Sequence, residues 1–342
     1  MKKLLNTLYV LSEDAYLALN GETVEVLLDD GVRRIPLHTL QTIVCFSRKG
    51  ASPALMGKCA EMNIGLTFFT PYGQYLASVS RSDNGNVLLR RQQFRWAENR
   101  DRALSIAKNF IAGKLYNAKY VLLRAARDHA LQVDSEALRS AAARITTYLR
   151  DAECVSDAES LRGVEGNAAA EYFGVFDQMI LQEKATFQFA ERNRRPPLDP
   201  TNALLSFAYV LLANDCASAL ASVGLDPYVG FLHTDRAGRA SLALDLMEEL
   251  RAPLADRFVL SLINNRVVQK KDFVFSSSGA VSLTDDARKV FLTEWQKRKK
   301  QEIVHPFTDE RIPWGLVPFV QSMLLARHLR EDIDAYPPLF WK

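Results

Sequence analysis

A polar segment at residues 80–86, SRSDNGN, divides this sequence into two parts with different hydrophobic periodicity. Before it, apolar residues occur in short runs bounded by turn residues, such as DAYLAL and TVEVLL, which is typical of β-strands. After it, apolar residues recur at spacings of three and four, which indicates amphipathic helices. Apolar residues that alternate along a strand would point to all sides of a helix and could not all be buried. This change of period therefore constrains the fold more than composition does.

The sequence therefore predicts an α+β protein, with a small, mostly antiparallel β domain at residues 1–85 and a larger all-α domain at residues 86–342. Asn20-Gly21 and Asp30-Gly31 lie between consecutive apolar runs and are expected to form hairpin turns. One helix is expected inside the first domain, near residues 53–62. The segment at 80–86 is the predicted linker.

Composition excludes several classes of protein. The chain is 48% hydrophobic and 24% charged, as in globular proteins. Its apolar runs, such as LLSFAYVLLA, are shorter than the roughly 18 residues of a membrane helix, so no membrane association is expected. The cysteines form no C-x-x-C pair, which fits a reducing cytoplasm. A net charge of +3 is too small to indicate nucleic-acid binding by itself.

Two acids lie three residues apart in SLALDLMEEL, so Asp245 and Glu248 would share one face of a predicted helix. Such carboxylates are costly to bury unless a cation neutralises them, although an exposed acidic patch is the commoner outcome. His233 precedes this helix, and Gly230 and a turn at 235–238 would return its imidazole toward the acids. One imidazole with carboxylate oxygens suits Mg²⁺ or Mn²⁺ better than a closed zinc site.

A third acid, Glu165, occurs in GVEGNAAAEYF and is expected just before a helix. The helix dipole favours an acid there without any function. Its flanking glycines, Gly163 and Gly166, would instead leave room for a nucleic-acid strand. No nucleophile elbow, phosphate-binding loop or H-E-x-x-H motif occurs, and metal-assisted phosphodiester chemistry is the class that remains.

Three segments together resemble the CRISPR-associated spacer-acquisition integrase family, and their spelling is similar to its type I-C branch. They are GVEGNAAAEYF, RNRRPPLDPTNALLSFAYVLLANDC and GLDPYVGFLHTDRAGRASLALDLMEELRAPLADRFV, in the order that the family has them. The resemblance implies an N-terminal β domain that helps to pair two subunits and a helical domain that holds the site. It also implies that Glu165, His233 and Glu248 bind the metal. Asp245 matches a further acid of the family, which leaves open whether it or Glu248 is the direct third ligand.

The resemblance also supplies a reaction and partners. Homodimers joined by a smaller subunit, Cas-two, would carry a short prespacer DNA duplex and join its 3′-hydroxyl ends into the CRISPR array beside the leader. Metal-dependent phosphoryl transfer needs mainly alignment and charge neutralisation, so no protein nucleophile is expected. The residues assigned to DNA contacts or to support of the site are Arg162, Arg194, Arg195, Asn202, Tyr209, Arg236, Arg239 and Arg251.

Two other hypotheses use the same residues. The chain could be a general metal-dependent nuclease for branched or single-stranded DNA, with water as the nucleophile. It could also be a non-catalytic DNA-binding scaffold, in which the acids are structural and binding weakens steeply with salt.

Overall fold

The computed structural model describes residues 7–40, 42–70, 75–79 and 87–342. The chain divides into two compact units, residues 1–86 with 289–301 and residues 87–288 with 302–342. The predicted linker at 80–86, and with it the predicted boundary between residues 85 and 86, lies outside the described residues.

Seven strands and one helix make up the described N-terminal part of the first unit. In chain order they are β1 (Thr7–Val10), β2 (Tyr16–Asn20), β3 (Thr23–Leu28), β4 (Gly31–Pro36), β5 (Thr42–Cys45), α1 (Pro53–Glu61), β6 (Gly65–Phe69) and β7 (Tyr75–Val79). Strands β2, β3 and β4 form an antiparallel sheet, and β1, β5, β6 and β7 form a second sheet in that order. In the second sheet β5 pairs in parallel with β1 and β6, and only the β6–β7 pair is antiparallel.

The two predicted hairpins form, but each turn lies one residue from its predicted place. Asn20 pairs with Thr23 and Leu28 pairs with Gly31, so the turn residues are 21–22 and 29–30. Gly21 has a φ of 56°, which supplies the positive value that a tight hairpin requires. The apolar faces of these strands pack with Leu55 and Cys59 of α1 into one core.

The rest of the described chain is predominantly helical. Its helices are α2 (Val87–Glu98), α3 (Arg100–Asp128), α4 (Ser135–Cys154), α5 (Ala158–Gly174), α6 (Lys184–Phe187), α7 (Pro200–Ser222), α8 (Ser241–Leu250), α9 (Arg257–Asn264), α10 (Asp285–Lys300) and α11 (Val317–Leu329). Within the second unit, α3 packs against α4, α5 and α8, and α7 packs against α8 and α11. The short helix α8 therefore lies among three longer ones.

The predicted α+β class is confirmed, but the second part, predicted as all-α, also contains short strands. Two antiparallel hairpins interrupt the helices, β8 (Phe273–Phe275) with β9 (Val281–Leu283) and β10 (Glu302–Val304) with β11 (Arg311–Pro313). Each strand has only three residues, which is too short for an alternating pattern to be recognised in the sequence.

Helix α7 is long and apolar enough to cross a membrane by length and composition, with a mean hydropathy of 1.5 over 18 residues. Half of that window is buried inside the protein. Contacts with α8, α9 and α11 surround it, and a helix that is apolar on all sides is expected where neighbours cover all its sides.

Candidate active site

Helix α8 carries three buried carboxylates, and each has a different set of partners. Asp245 and Glu249 are fully buried and Glu248 is 3% exposed. Asp245 faces the loop that precedes α8, Glu248 faces α3, and Glu249 faces the C-terminal segment. Burying a carboxylate is costly unless hydrogen bonds or cations compensate for the lost water. The partners of each acid therefore indicate its role.

Asp245 holds the loop that carries His233. One oxygen, Oδ2, accepts hydrogen bonds from the backbone N–H groups of Phe231 and Leu232, at 2.7 and 3.0 Å. The other, Oδ1, accepts one from the backbone N–H of His233 at 3.0 Å and lies 2.6 Å from its Nδ1. Because this carboxylate already accepts three N–H groups, we assign Nδ1 as a further donor. The imidazole then keeps Nε2 available as an acceptor or ligand.

Gly230 permits this close approach, as its place in the sequence predicted. An added Cβ there would lie 2.8 Å from Cβ of Ser241 and 2.9 Å from Oδ2 of Asp245. Both distances are too short for a side chain, so a larger residue would push the loop away from α8 and His233 with it.

Glu248 lies between two cations. Its Oε1 is 3.1 Å from Nη2 of Arg251, and its Oε2 is 2.8 Å from Nζ of Lys114. The second contact lies outside the angles of a hydrogen bond, so this buried oxygen has no hydrogen-bond donor among the described residues. Burial by itself raises the pKa of Glu248, but the charges of Arg251 and Lys114 outweigh it and lower that pKa to about 2. The carboxylate is therefore ionised at neutral pH.

Glu165 belongs to the same cluster, since it accepts a hydrogen bond from Nζ of Lys114. The expectation that its helix begins just after it is wrong: α5 begins at Ala158, where Asp157 caps the first turn by accepting from two backbone N–H groups. Glu165 therefore lies inside the helix, and the helix dipole does not explain an acid there. Lys114 thus connects α3 with one carboxylate on α5 and one on α8.

The three predicted metal ligands are neighbours, but they do not meet at a single point. No three His, Cys, Asp or Glu side chains converge on a common centre within the part of the chain that the structure describes. Glu165 and Glu248 share the Lys114 ammonium, and His233 lies close enough to Glu248 to interact with it electrostatically. The donor set nevertheless fits a hard divalent cation, since an ionised buried carboxylate keeps one oxygen without a donor and already contacts a cation.

A π-helix at Arg251–Asp256 follows α8 directly and joins it to α9. Such irregular turns are frequent at functional sites because they redirect side chains. Here Arg251 turns back to Glu248 while lying 4.9 Å over the ring of Tyr209. At the other end, Asp256 accepts hydrogen bonds from the hydroxyls of Tyr209 and Tyr172, at 2.6 and 3.0 Å. Burial raises the pKa of Asp256 to about 6, against the opposing effect of these hydrogen bonds.

Four of the predicted DNA-contacting arginines are exposed: Arg162, Arg194, Arg195 and Arg236. Arg239 instead donates to the carbonyl and hydroxyl oxygens of Thr234 and so supports the His233 loop. Arg251 is engaged with Glu248 and is only 17% exposed in its side chain. Arg239 and Arg251 therefore support the His233 loop and Glu248, respectively.

Asn202 is fully buried, which corrects its assignment as a DNA-contacting residue. Its Oδ1 accepts from Nη1 of Arg192 at 2.6 Å, and its Nδ2 donates to the carbonyl of Glu191 and to Asp199. Its amide is therefore satisfied within the loop before α7 and holds Arg192 in place. Arg192 in turn lies 5.3 Å from the centre of the Tyr209 ring, whose hydroxyl is also satisfied internally.

Glu249 anchors the C-terminal segment beside the site. It accepts hydrogen bonds from the Tyr336 hydroxyl at 2.5 Å, from Nε2 of Gln321 at 2.9 Å and from the backbone N–H of Leu339 at 2.6 Å. Burial raises its pKa to about 8, although these three hydrogen bonds lower it in part. Gly113 of α3 allows the contact, because an added Cβ would lie 2.8 Å from Cγ of Glu249.

Comparison with known proteins identifies the family. The model of the family described as CRISPR associated protein Cas1 matches residues 8–297. The chain belongs to the Cas1 family. A relative from Rhodospirillum rubrum, a CRISPR-associated endonuclease Cas1, is 52% identical over 348 residues, which is all of both chains. The family resemblance predicted from the three segments is confirmed.

Solved structures share the fold of this Cas1-family chain at low sequence identity. A casposase bound to an integration product has a TM-score of 0.84 at 22% identity, over 99% of this chain and 95% of that one. A Cas6-RT-Cas1–Cas2 complex has a TM-score of 0.82 at 22% identity, over all of this chain and 36% of the matched chain.

Sequence reasoning missed Lys114, Asp256 and Glu249 as members of the Cas1-family site. A signal for Lys114 was present, because it interrupts an apolar stripe of α3 that includes Phe110, Ile111 and Ala118. A lysine on a buried stripe requires a carboxylate partner. The other two gave no comparable signal, since Asp256 is positioned by a π-helix and Glu249 by residues 72 to 90 positions away.

Proposed function

We propose that this chain is a metal-dependent DNA integrase and endonuclease of CRISPR adaptation. It joins the 3′-hydroxyl ends of a short prespacer duplex into a CRISPR array by transesterification. One observation carries the proposal: the buried, ionised Glu248 faces Glu165 across a shared cation, beside an imidazole that Asp245 orients. Two acids and an imidazole with these properties support phosphodiester chemistry at a divalent cation.

In this proposal Glu165, His233 and Glu248 hold Mg²⁺ or Mn²⁺. When bound, the metal would neutralise charge on the reacting phosphate and help to align the attacking and leaving oxygens. Asp245 is not a ligand, because its two oxygens already accept four hydrogen bonds from residues 231–233. It acts on His233, since a hydrogen bond to one ring nitrogen fixes the tautomer and the orientation of the other.

The other residues bind and position the DNA. Arg251 holds Oε1 of Glu248 while it lies over the Tyr209 ring, which fixes the direction of the carboxylate. The exposed Arg162, Arg194, Arg195 and Arg236 contact phosphates. The nucleophile belongs to the DNA, so the task of these side chains is to bring a 3′-hydroxyl and a target phosphate into line.

The proposed partners are double-stranded DNA, both as prespacer and as the leader–repeat junction, a Cas2 subunit and a second copy of this chain. The likeness to a chain of a Cas1–Cas2 complex and to a casposase bound to an integration product supports the first two. The cytoplasm as location and the type I-C subtype stay predictions.

Joining of a 5′-labelled duplex with free 3′-hydroxyl ends to a plasmid that carries a leader and repeat tests the proposal, with the Cas2 partner present. Joining should require Mg²⁺ or Mn²⁺, and Glu165→Ala, His233→Ala and Glu248→Ala should each reduce it by about 10² or more while DNA binding persists. Glu159→Ala is the matched control, because it removes an exposed acid of the same helix α5. Normal joining by all three variants would contradict the proposal.

Hydrolysis by the same site is a second candidate function, favoured by the name endonuclease that the relative from Rhodospirillum rubrum carries. Water would then replace the 3′-hydroxyl as the nucleophile. Sequencing of the products separates the two reactions, since joining creates new junctions and hydrolysis leaves free ends.

A further inference from the structure

Lys114 is the cation that the two glutamates share, and its surroundings are unusual for a lysine. It lies on α3 between the buried Gly113 and Leu115, and its side chain is only 14% exposed. Burying a lysine is costly unless carboxylates compensate for the lost water. Glu165 and Glu248 are the two partners that it has among the described residues.

The two oxygens of Glu248 contact two different kinds of cation. Oε1 pairs with Arg251, whose guanidinium is also fixed over the Tyr209 ring. Oε2 lies 2.8 Å from the end of the flexible Lys114 side chain. A lysine ammonium is a compact charge on a four-carbon stem and can move away without disturbing the backbone. Glu248 can therefore exchange the cation at Oε2 while Arg251 stays paired with Oε1.

We propose that Lys114 is an internal competitor for the metal: its ammonium and the divalent cation use the same oxygens of Glu165 and Glu248, so metal binding displaces Lys114. This inference rests on the metal site of the proposed function. It adds that Lys114 weakens metal affinity, because a divalent cation at these carboxylates would lie close to a like charge. Lys114 is a positioning residue in this account, since it acts through the two glutamates.

Calorimetric titration of the full-length protein with Mn²⁺ tests the competition. Lys114→Met keeps the length of the side chain and removes its charge, and it should lower the dissociation constant for Mn²⁺ by about tenfold or more. Lys108→Met is the matched control, because Lys108 lies on the same helix and donates to the carbonyl of Glu153. Its affinity should equal that of the wild type. An unchanged or weaker affinity in Lys114→Met would overturn the inference.

The outcomes also separate this inference from the proposed function. If the wild type binds Mn²⁺ and Glu165→Ala does not, while Lys114→Met binds as the wild type does, the metal site stands and the competition is wrong. If neither the wild type nor Lys114→Met binds Mn²⁺, both are wrong.

A second measurement uses the wild-type protein alone and so does not depend on how a variant folds. Lysines are labelled with an amine-reactive reagent, with and without saturating Mn²⁺, and each site is quantified by mass spectrometry. Labelling of Lys114 should rise several-fold with Mn²⁺ as its ammonium leaves the carboxylates, and that of Lys108 should not change. Equal labelling of Lys114 under both conditions would overturn the displacement.

Discussion

Nδ1 of His233 lies 2.6 Å from Oδ1 of Asp245, and the same carboxylate accepts the backbone N–H of His233. One acid thus fixes both the backbone and the ring of the histidine. This relationship distinguishes Asp245 from Glu248, two acids one turn apart that the sequence could not tell apart. Asp245 is occupied by the protein, whereas Glu248 keeps an oxygen available for a cation.

Asp245→Asn should therefore reduce Mn²⁺ affinity and DNA joining by about 10- to 100-fold. An amide cannot accept all four hydrogen bonds, so the His233 loop and ring lose their fixed orientation. Calorimetric titration and the joining assay measure the effect. Asp235→Asn, an exposed acid in the same loop, should behave as the wild type. Full affinity and activity in Asp245→Asn would show that orientation of His233 by this carboxylate is unimportant.

Glu248→Gln should destabilise the protein at pH 7 by about 3 kcal/mol, because it leaves the charges of Lys114 and Arg251 without a buried partner. The difference from the wild type should shrink as the pH falls. The pKa of Glu248 is about 2 in the folded protein and near 4.5 in the unfolded chain, so its stabilising effect is present above pH 4.5 and is lost toward pH 2. Urea unfolding between pH 3 and pH 7 checks both statements. A difference that does not depend on pH would contradict the low pKa.

Glu249 should make the stability of the protein depend on pH in the opposite direction. Its pKa is raised to about 8, so the folded protein retains a proton that the unfolded chain releases near pH 4.5. Its contribution to stability therefore falls as the pH rises from about 4.5 to about 8. In Glu249→Gln this part of the decline should disappear, and the comparison cancels titration of the nearby His305, whose pKa burial lowers. Parallel stability curves from pH 6 to pH 8.5 would contradict the raised pKa.

Gly166→Ala tests whether DNA approaches α5 beside Glu165. An added Cβ at Gly166 meets nothing within 4 Å, so alanine should stabilise the helix by about 0.5–1 kcal/mol. If a DNA strand passes there, the methyl group should also weaken duplex binding several-fold. Gly174→Ala, at the end of the same helix and equally open, should leave binding unchanged. Equal DNA affinity in both variants would show that Gly166 does not face the DNA.

The sequence predicted the layout of the fold because its hydrophobic period changes at residues 80–86. It also predicted both hairpins and the close approach at Gly230, which depend on local chemistry. It did not predict the parallel pairing of β5 or the short hairpins of the second unit. Parallel pairs join strands separated by many residues, and three-residue strands carry no usable period.

The candidate site was only partly predictable, because it also depends on contacts between residues that are far apart in the sequence. Glu165, His233, Asp245 and Glu248 were named because their residue types and order indicate metal chemistry. The division of tasks between Asp245 and Glu248 depends on which backbone N–H groups and cations surround each carboxylate. Lys114 comes from a helix some fifty residues before Glu165, and no local pattern connects them.

Crystals soaked in Mn²⁺ and measured at the manganese absorption edge test the central claim most directly. We expect an anomalous peak roughly 2.1–2.4 Å from carboxylate oxygens of Glu165 and Glu248 and from Nε2 of His233, with Lys114 moved away. A peak at Asp245 instead of Glu248, or no peak beside His233 at saturating Mn²⁺, would contradict it.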